Sequence, residues 1–308
     1  MSPRFHAYLA SQDLPTIVLT DEQVHEFRTF GFVIFRGFFT AAEMAAFDVE
    51  FESVHAIVNA KYPFDGTTPH FVLFDPTLAP RIASLLDDPR FCEIAEQLFG
   101  DDVIGFGADG FRYVGSSIWH PDTANFDHYG MKFSFYTQAL DASGGALRLI
   151  PGSHRRPMHD DVTLFMESAE RSIEDVPCFV FETEPGDVLA YDLRLWHASC
   201  GGAPDRRSVG LHYFHYPKTA EERAAFHAQD VMIRTHFREL RRAQNDTEAA
   251  ERALLRNPSL TNAVLAAAEQ SGGRRARWLE SLRELGFLDR AELRDDDRDW
   301  LPHKYRES

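Results

Sequence analysis

The chain has 308 residues, enough to bury a sizeable core, and carries 32 Lys plus Arg against 48 Asp plus Glu, a formal charge of −16. That balance argues against nucleic acid or an anionic membrane as partner. The apolar runs fall short of a bilayer span and Met1 to Ala10 lacks a signal-peptide pattern, so a cytoplasmic protein is expected. Cys92, Cys178 and Cys200 match neither a disulfide framework nor a structural zinc site and read as inert thiols, with Cys200 close enough to His197 to border a site there.

Thr20-Asp21-Glu22-Gln23 has capping-box spacing and predicts a short helix through Val24, Phe27 and Phe30 to Gly31. Phe32 to Phe35 is a continuous apolar run, which suits a buried strand. Thr40-Ala41-Ala42-Glu43 repeats the capping signal and opens a second helix toward Asn59. Lys61 to Pro80 has no sustained period and predicts a long loop. From Pro80 to Phe99 two helices are expected, broken at Asp87-Asp88-Pro89 and closed by Gly100.

Between Val103 and Tyr216 short apolar or alternating runs bounded by Gly, Pro and Asp predict an antiparallel sandwich or barrel, the catalytic core. The strands are placed at Phe111 to Ile118, Met131 to Leu140, Ala146 to Ile150, Cys178 to Glu182, Asp187 to Asp192 and Ser208 to Tyr216. After Pro217 helical spacing returns in Thr219 to Gln244, Asp246 to Arg256 and Arg274 to Leu285. The expected division is therefore a domain over 1–217, a β core with N-terminal helices, and a helical extension over 218–308, the latter suited to a lid or a homodimer contact.

His120-Pro121-Asp122 and His197 supply two histidines and a carboxylate, a set that can take one face of an octahedral Fe(II) and leave three positions open. One residue apart in extended backbone, His120 and Asp122 point to the same side; His197 comes from elsewhere, read as the end of a strand begun by Gly186-Asp187-Val188. An arginine shortly after His197 can pair with the carboxylate of a keto acid. Alternation puts Arg206, Ser208, Gly210 and His212 on one face and Arg207, Val209, Leu211 and Tyr213 on the other, and the face holding Arg206 is taken as inward; the opposite register would make Arg207 the binder.

Ser199 reads equally as a hydrogen-bond donor to that acid and as a turn serine. Lys132, Ser134 and Tyr136 share a face that would be costly in a dry core, so Lys132 and Ser134 are assigned to the pocket. Phe126, His128 and Tyr129 are candidates for shaping a substrate cavity. His154, His159, His212 and His215 form a rival ligand scheme, discounted for the last two because their spacing is helical within β-type sequence. No helical His-Glu-x-x-His, phosphate loop or nucleophile elbow occurs.

These residues, together with Gly144 to His154, which contains Pro151-Gly152-Ser153-His154, and with Gly186-Asp187-Val188, His197-Ala198-Ser199 and Arg206-Arg207, resemble the phytanoyl-CoA dioxygenase family of Fe(II)- and 2-oxoglutarate-dependent oxygenases over Leu19 to Tyr216. The resemblance implies a mainly β, cupin-like jelly roll (a double-stranded β-helix) with flanking helices. It further implies iron on His120, Asp122 and His197, 2-oxoglutarate on Arg206, and O2 as oxidant of a small-molecule substrate. Related halogenases have a small residue in place of the carboxylate, so Asp122 implies hydroxylation or another oxidation instead. Other readings of the same site are a non-catalytic jelly-roll binding protein and a hydrolytic zinc enzyme.

Overall fold

The structure, a computed structural model, describes residues 17–225 apart from 62, 65, 67–69, 75–78, 101 and 128. Two compact units are distinguished, Met1–Tyr216 and Pro217–Ser308. Of the second, residues 220–225 are helical, entered through a reciprocal pair in which the Glu222 amide donates to Thr219 Oγ1 (3.1 Å) and the Thr219 amide to Glu222 Oε2 (2.9 Å). The other C-terminal helices expected from sequence lie outside the described residues.

Among the described residues the first helix of this unit is α1 (Asp21–Phe30), where Thr20 and Gln23 satisfy each other's backbone groups and Gly31, at φ 85°, closes the last turn. Only glycine fits there: a Cβ would lie 2.5 Å from His154 Nδ1 and 2.7 Å from Leu195 Cδ1. β1 (Phe32–Phe35) follows at once, and α2 (Ala41–Lys61) starts with the Thr40–Glu43 exchange its sequence signals. The segment expected to be a structureless loop contains β2 (His70–Leu73), whose short run lacks enough residues to show alternation and is held by pairing with β3. α3 (Pro80–Ser84), a 3₁₀ turn and α4 (Pro89–Phe99) come next; Asp88 caps α4 ahead of Pro89, which is why the helix breaks there.

The strands are β3 (Val103–His120), β4 (Gly130–Tyr136), β5 (Leu147–Leu149), β6 (Phe179–Phe181), β7 (Val188–Asp192) and β8 (His197–His215). They form one curled antiparallel sheet in the order β1-β7-β4-β8-β3-β2, with β5 pairing both β6 and the first residues of β8. The architecture of the described residues is a curled, cupin-like antiparallel sheet, a jelly roll with helices packed against it.

Three boundaries depart from expectation. β3 and β8 are far longer than predicted, because they pair with each other from Val103↔His215 to His120↔His197, with register shifts between Gly105 and Gly107 and at three places from Tyr113 to His120. His197 does not end the strand begun at Gly186; β7 stops at Asp192, whose carboxylate accepts from the Arg194 amide (2.9 Å) and turns the chain, so His197 opens β8. A helix, α5 (Met158–Glu167), interrupts what was read as continuous β-type sequence between β5 and β6.

Alternation along β4 sorts the chemistry of the sheet. Phe133 and Phe135 face the helices, where rings lie 4.9 Å from Phe91 and 5.0 Å from Phe39 respectively, and each buried Phe contributes about 1.5–3 kcal/mol. Lys132, Ser134 and Tyr136 face the opposite, inner side. On β8, Arg207 points to the helices and pairs with Asp48 (2.9 Å) and Glu52 (3.1 Å) of α2.

Candidate metal centre

His120 is the last residue of β3, and His197, opposite it in register, is the first of β8. Asp122 follows two residues after His120, and one potential ligand atom from each of the three falls within 4.8 Å of the others, the one such group among the described residues. The imidazole centroids are 4.5 Å apart, and His197 Nε2 is 3.7 Å from Asp122 Oδ1.

Each ring is oriented by its own backbone. His120 Nδ1 lies 2.7 Å from the Ile118 carbonyl and His197 Nδ1 2.8 Å from the Leu195 carbonyl, both two residues upstream. Both carbonyls select the Nδ1–H tautomer, so in each ring Nε2 carries the lone pair for an ion. Burial pushes the His197 imidazole down to about 4 against the pull of Asp122, so it is neutral near pH 7. Burial opposes the Asp122 carboxylate, but His197, Lys132 and His120 outweigh it and hold it well below the usual range. Two oriented imidazoles, each presenting Nε2, and an ionised carboxylate make a donor set that fits Fe(II) and leaves one face open.

Tyr191, on β7, had been read from sequence only as part of an apolar strand. Its hydroxyl donates to Asp122 Oδ2 at 3.3 Å, and burial, then Asp122, push its pKa well up so that it remains a donor. Tyr191→Phe should weaken Co(II) binding about tenfold, by loss of one hydrogen bond to a charged ligand, read from the visible absorption of a titration. Unchanged affinity would remove Tyr191 from the centre.

Beside Tyr191 in register is Lys132. Burial works against its ammonium, but Asp109 and Asp122 keep it charged; Asp109 Oδ1 is 3.8 Å away and Asp109 Oδ2 takes His212 Nε2 at 2.7 Å. The lysine reaches Asp109 across Gly210, where a Cβ would sit 2.3 Å from Lys132 Cε. Asp109, between Ala108 and Gly110, was not singled out from sequence. His212 is thereby occupied outside the metal centre, as are His154, against the Arg28 carbonyl (3.3 Å), and His159, against the Ser153 carbonyl (3.0 Å). His215, the fourth rival ligand, lies against the Phe99 ring with centroids 6.0 Å apart. Ser134 is buried and hydrogen-bonded to Tyr191.

Arg206 is 6% exposed on the inner face; its Nε donates to the Gly145 carbonyl at 2.8 Å and a terminal nitrogen to Tyr136 Oη at 3.2 Å. Gly145 permits that approach, since a Cβ would lie 2.9 Å from Arg206 Cδ. Ser199 is buried, its hydroxyl 3.0 Å from that of Ser117 and its amide donating to Ser117 Oγ at 2.8 Å.

The Pro-Gly-Ser-His segment also finds a purpose here. Ser153 Oγ accepts the amide of Trp196, and the Trp196 carbonyl accepts the amide of Ile150 (2.9 and 3.0 Å), pinning the residue before His197.

A family model described as phytanoyl-CoA dioxygenase (PhyH) matches residues 27–208, more than half of the chain. The chain belongs to the phytanoyl-CoA dioxygenase family. Three solved structures are similar to this family member. HygX from Streptomyces hygroscopicus, with nickel and 2-oxoglutarate bound, has 18% identity and TM-score 0.54 over 67% of this chain and 94% of that one. SnoN, a non-heme α-ketoglutarate-dependent epimerase from nogalamycin biosynthesis, has 19% identity and TM-score 0.51 over 64% and 83%. EvdMO1 has 22% identity and TM-score 0.49 over 62% of this chain, which spans about half of that protein (49%). At these identities the likeness is one of fold. No curated protein matches the sequence.

Proposed function

We propose that this dioxygenase-family protein is an Fe(II)- and 2-oxoglutarate-dependent hydroxylase acting on an unactivated C–H bond of a small-molecule metabolite. The observation that carries the reading is the convergence of His120, Asp122 and His197, with both imidazoles presenting Nε2. Bound iron with 2-oxoglutarate supplies the reduction of O2, the net change being R–H + 2-oxoglutarate + O2 to R–OH + succinate + CO2.

The residues hold and orient. His120, Asp122 and His197 hold the metal from one side, and Tyr191 fixes the free oxygen of Asp122. Arg206, braced by Gly145 and Tyr136, takes the distal carboxylate of 2-oxoglutarate, for which its planar fork is suited, and Ser199, Ser134 and Lys132 line the same face. The presence of Asp122 favours oxygen transfer over halide transfer. HygX, solved with 2-oxoglutarate, lends the co-substrate; SnoN, an epimerase, is the reason the hydroxylation itself is put to test.

Anaerobic addition of Fe(II) and then 2-oxoglutarate should produce a visible metal-to-ligand charge-transfer band. A hydrolytic zinc enzyme or a binding protein would develop none, and absence of the band would overturn the proposal. A screen of small polar metabolites for stimulated succinate release then addresses the substrate.

A further inference from the structure

The three-residue turn Leu193-Arg194-Leu195 lies between β7 and His197; its Leu195 carbonyl orients that imidazole, but the Arg194 side chain has no part in the proposed chemistry, and the turn contacts the loop that carries Asp122. Leu193 closes the neck of that loop with two main-chain bonds: the Thr123 amide donates to the Leu193 carbonyl (3.0 Å) and the Leu193 amide to the Gly130 carbonyl (3.0 Å). Arg194 fills its interior. The guanidinium carbon lies 3.5 Å from the centre of the Tyr129 ring and 5.2 Å from that of Phe126. Its Nε and a terminal nitrogen grip both oxygens of Asp192, at 2.9 and 2.6 Å, and the side chain is 11% exposed.

The geometry points to Arg194 as a positioning residue of the metal centre. Its planar cation is fixed by Asp192, and through Tyr129 and Phe126 it sets where the loop, and with it Asp122, stands against His197. Burial of a cation is compensated by the bidentate carboxylate, so its energy goes into order rather than net charge. Arginine is required by this arrangement: lysine keeps the charge but has neither the fork for Asp192 nor the flat face for the two rings. The inference rests on the metal assignment of the proposed function, not on its co-substrate or its reaction.

Co(II) titration of the full chain, followed by its visible spectrum, is the test. Arg194→Ala should weaken Co(II) binding about 10- to 100-fold, the range for residues that orient ligands, and Arg194→Lys should not restore it. In an Asp122→Ala background the same substitution should change affinity less than about twofold, because the group it positions is gone. Losses that multiply in the double variant would mean general destabilisation and overturn the inference, as would wild-type affinity in Arg194→Ala or rescue by lysine. Should Arg194→Ala not fold, Tyr129→Leu, which leaves the Arg194–Asp192 pair in place, should still weaken Co(II) several-fold, and an unchanged titration would overturn the inference. A wild-type protein that takes up no Co(II) would refute the metal assignment itself, an outcome separate from failure of the Arg194 variants alone.

Discussion

Asp122→Ala is expected to lose more than about 100-fold in turnover, since groups that only orient a ligand are worth 10- to 100-fold and Asp122 is proposed as a ligand itself. It contributes the sole negative charge of the set, and it stays ionised although burial opposes it. Its removal leaves two imidazoles 4.5 Å apart with no anion to compensate a dication. The fold should survive, because the hydrogen bond from Tyr191 at 3.3 Å is a modest tie. The measurement is succinate release together with Co(II) affinity and a thermal melt. Full turnover in a variant that melts normally would end the assignment of Asp122 to the metal.

Arg206→Ala should weaken 2-oxoglutarate by about 2–5 kcal/mol, the usual loss on truncating a buried charged partner, or roughly 30-fold to several thousand-fold. The substitution also removes the donor from the Gly145 carbonyl and from Tyr136. Metal affinity should change little, which separates the two defects. Arg207→Ala serves as the internal control. That guanidinium lies on the other face, paired with Asp48 and Glu52, and being partly exposed it should cost at most about 1 kcal/mol of stability and leave 2-oxoglutarate binding unaffected. Titration of the charge-transfer band with 2-oxoglutarate distinguishes the variants, and the larger loss in Arg207→Ala would reverse the assignment of faces.

Much of the frame is legible in the sequence because its signals are local. The Thr20–Gln23 box and Gly31 define α1, Asp88-Pro89 marks the break before α4, and alternation separates Arg206 from Arg207. His120 and Asp122 can be read as a pair because extended backbone makes their side chains parallel. What stays hidden depends on pairing between distant segments. β2 is a strand only because β3 lies beside it, and β8 extends upstream of Ser208, through Gly201 and Gly202, on the support of β3. Tyr191 and Asp109 each look ordinary where they stand in the chain, and their roles come from neighbours 69 and 103 positions away. Arg194 does have a local mark, the Asp-x-Arg spacing with Asp192, which can be looked for in turns next to a ligand.

β3 and β8, hydrogen-bonded to each other from one end to the other, hold both histidines and Arg206, and Asp122 follows just beyond the end of β3. Two chain segments thus amount to a cassette: the groups proposed to take metal and acid sit on one antiparallel ribbon or just past its end, braced by Tyr191 of β7 and Tyr136 of β4. α5 lies on another segment, so its sequence can change without altering the strand pairing that sets those groups side by side.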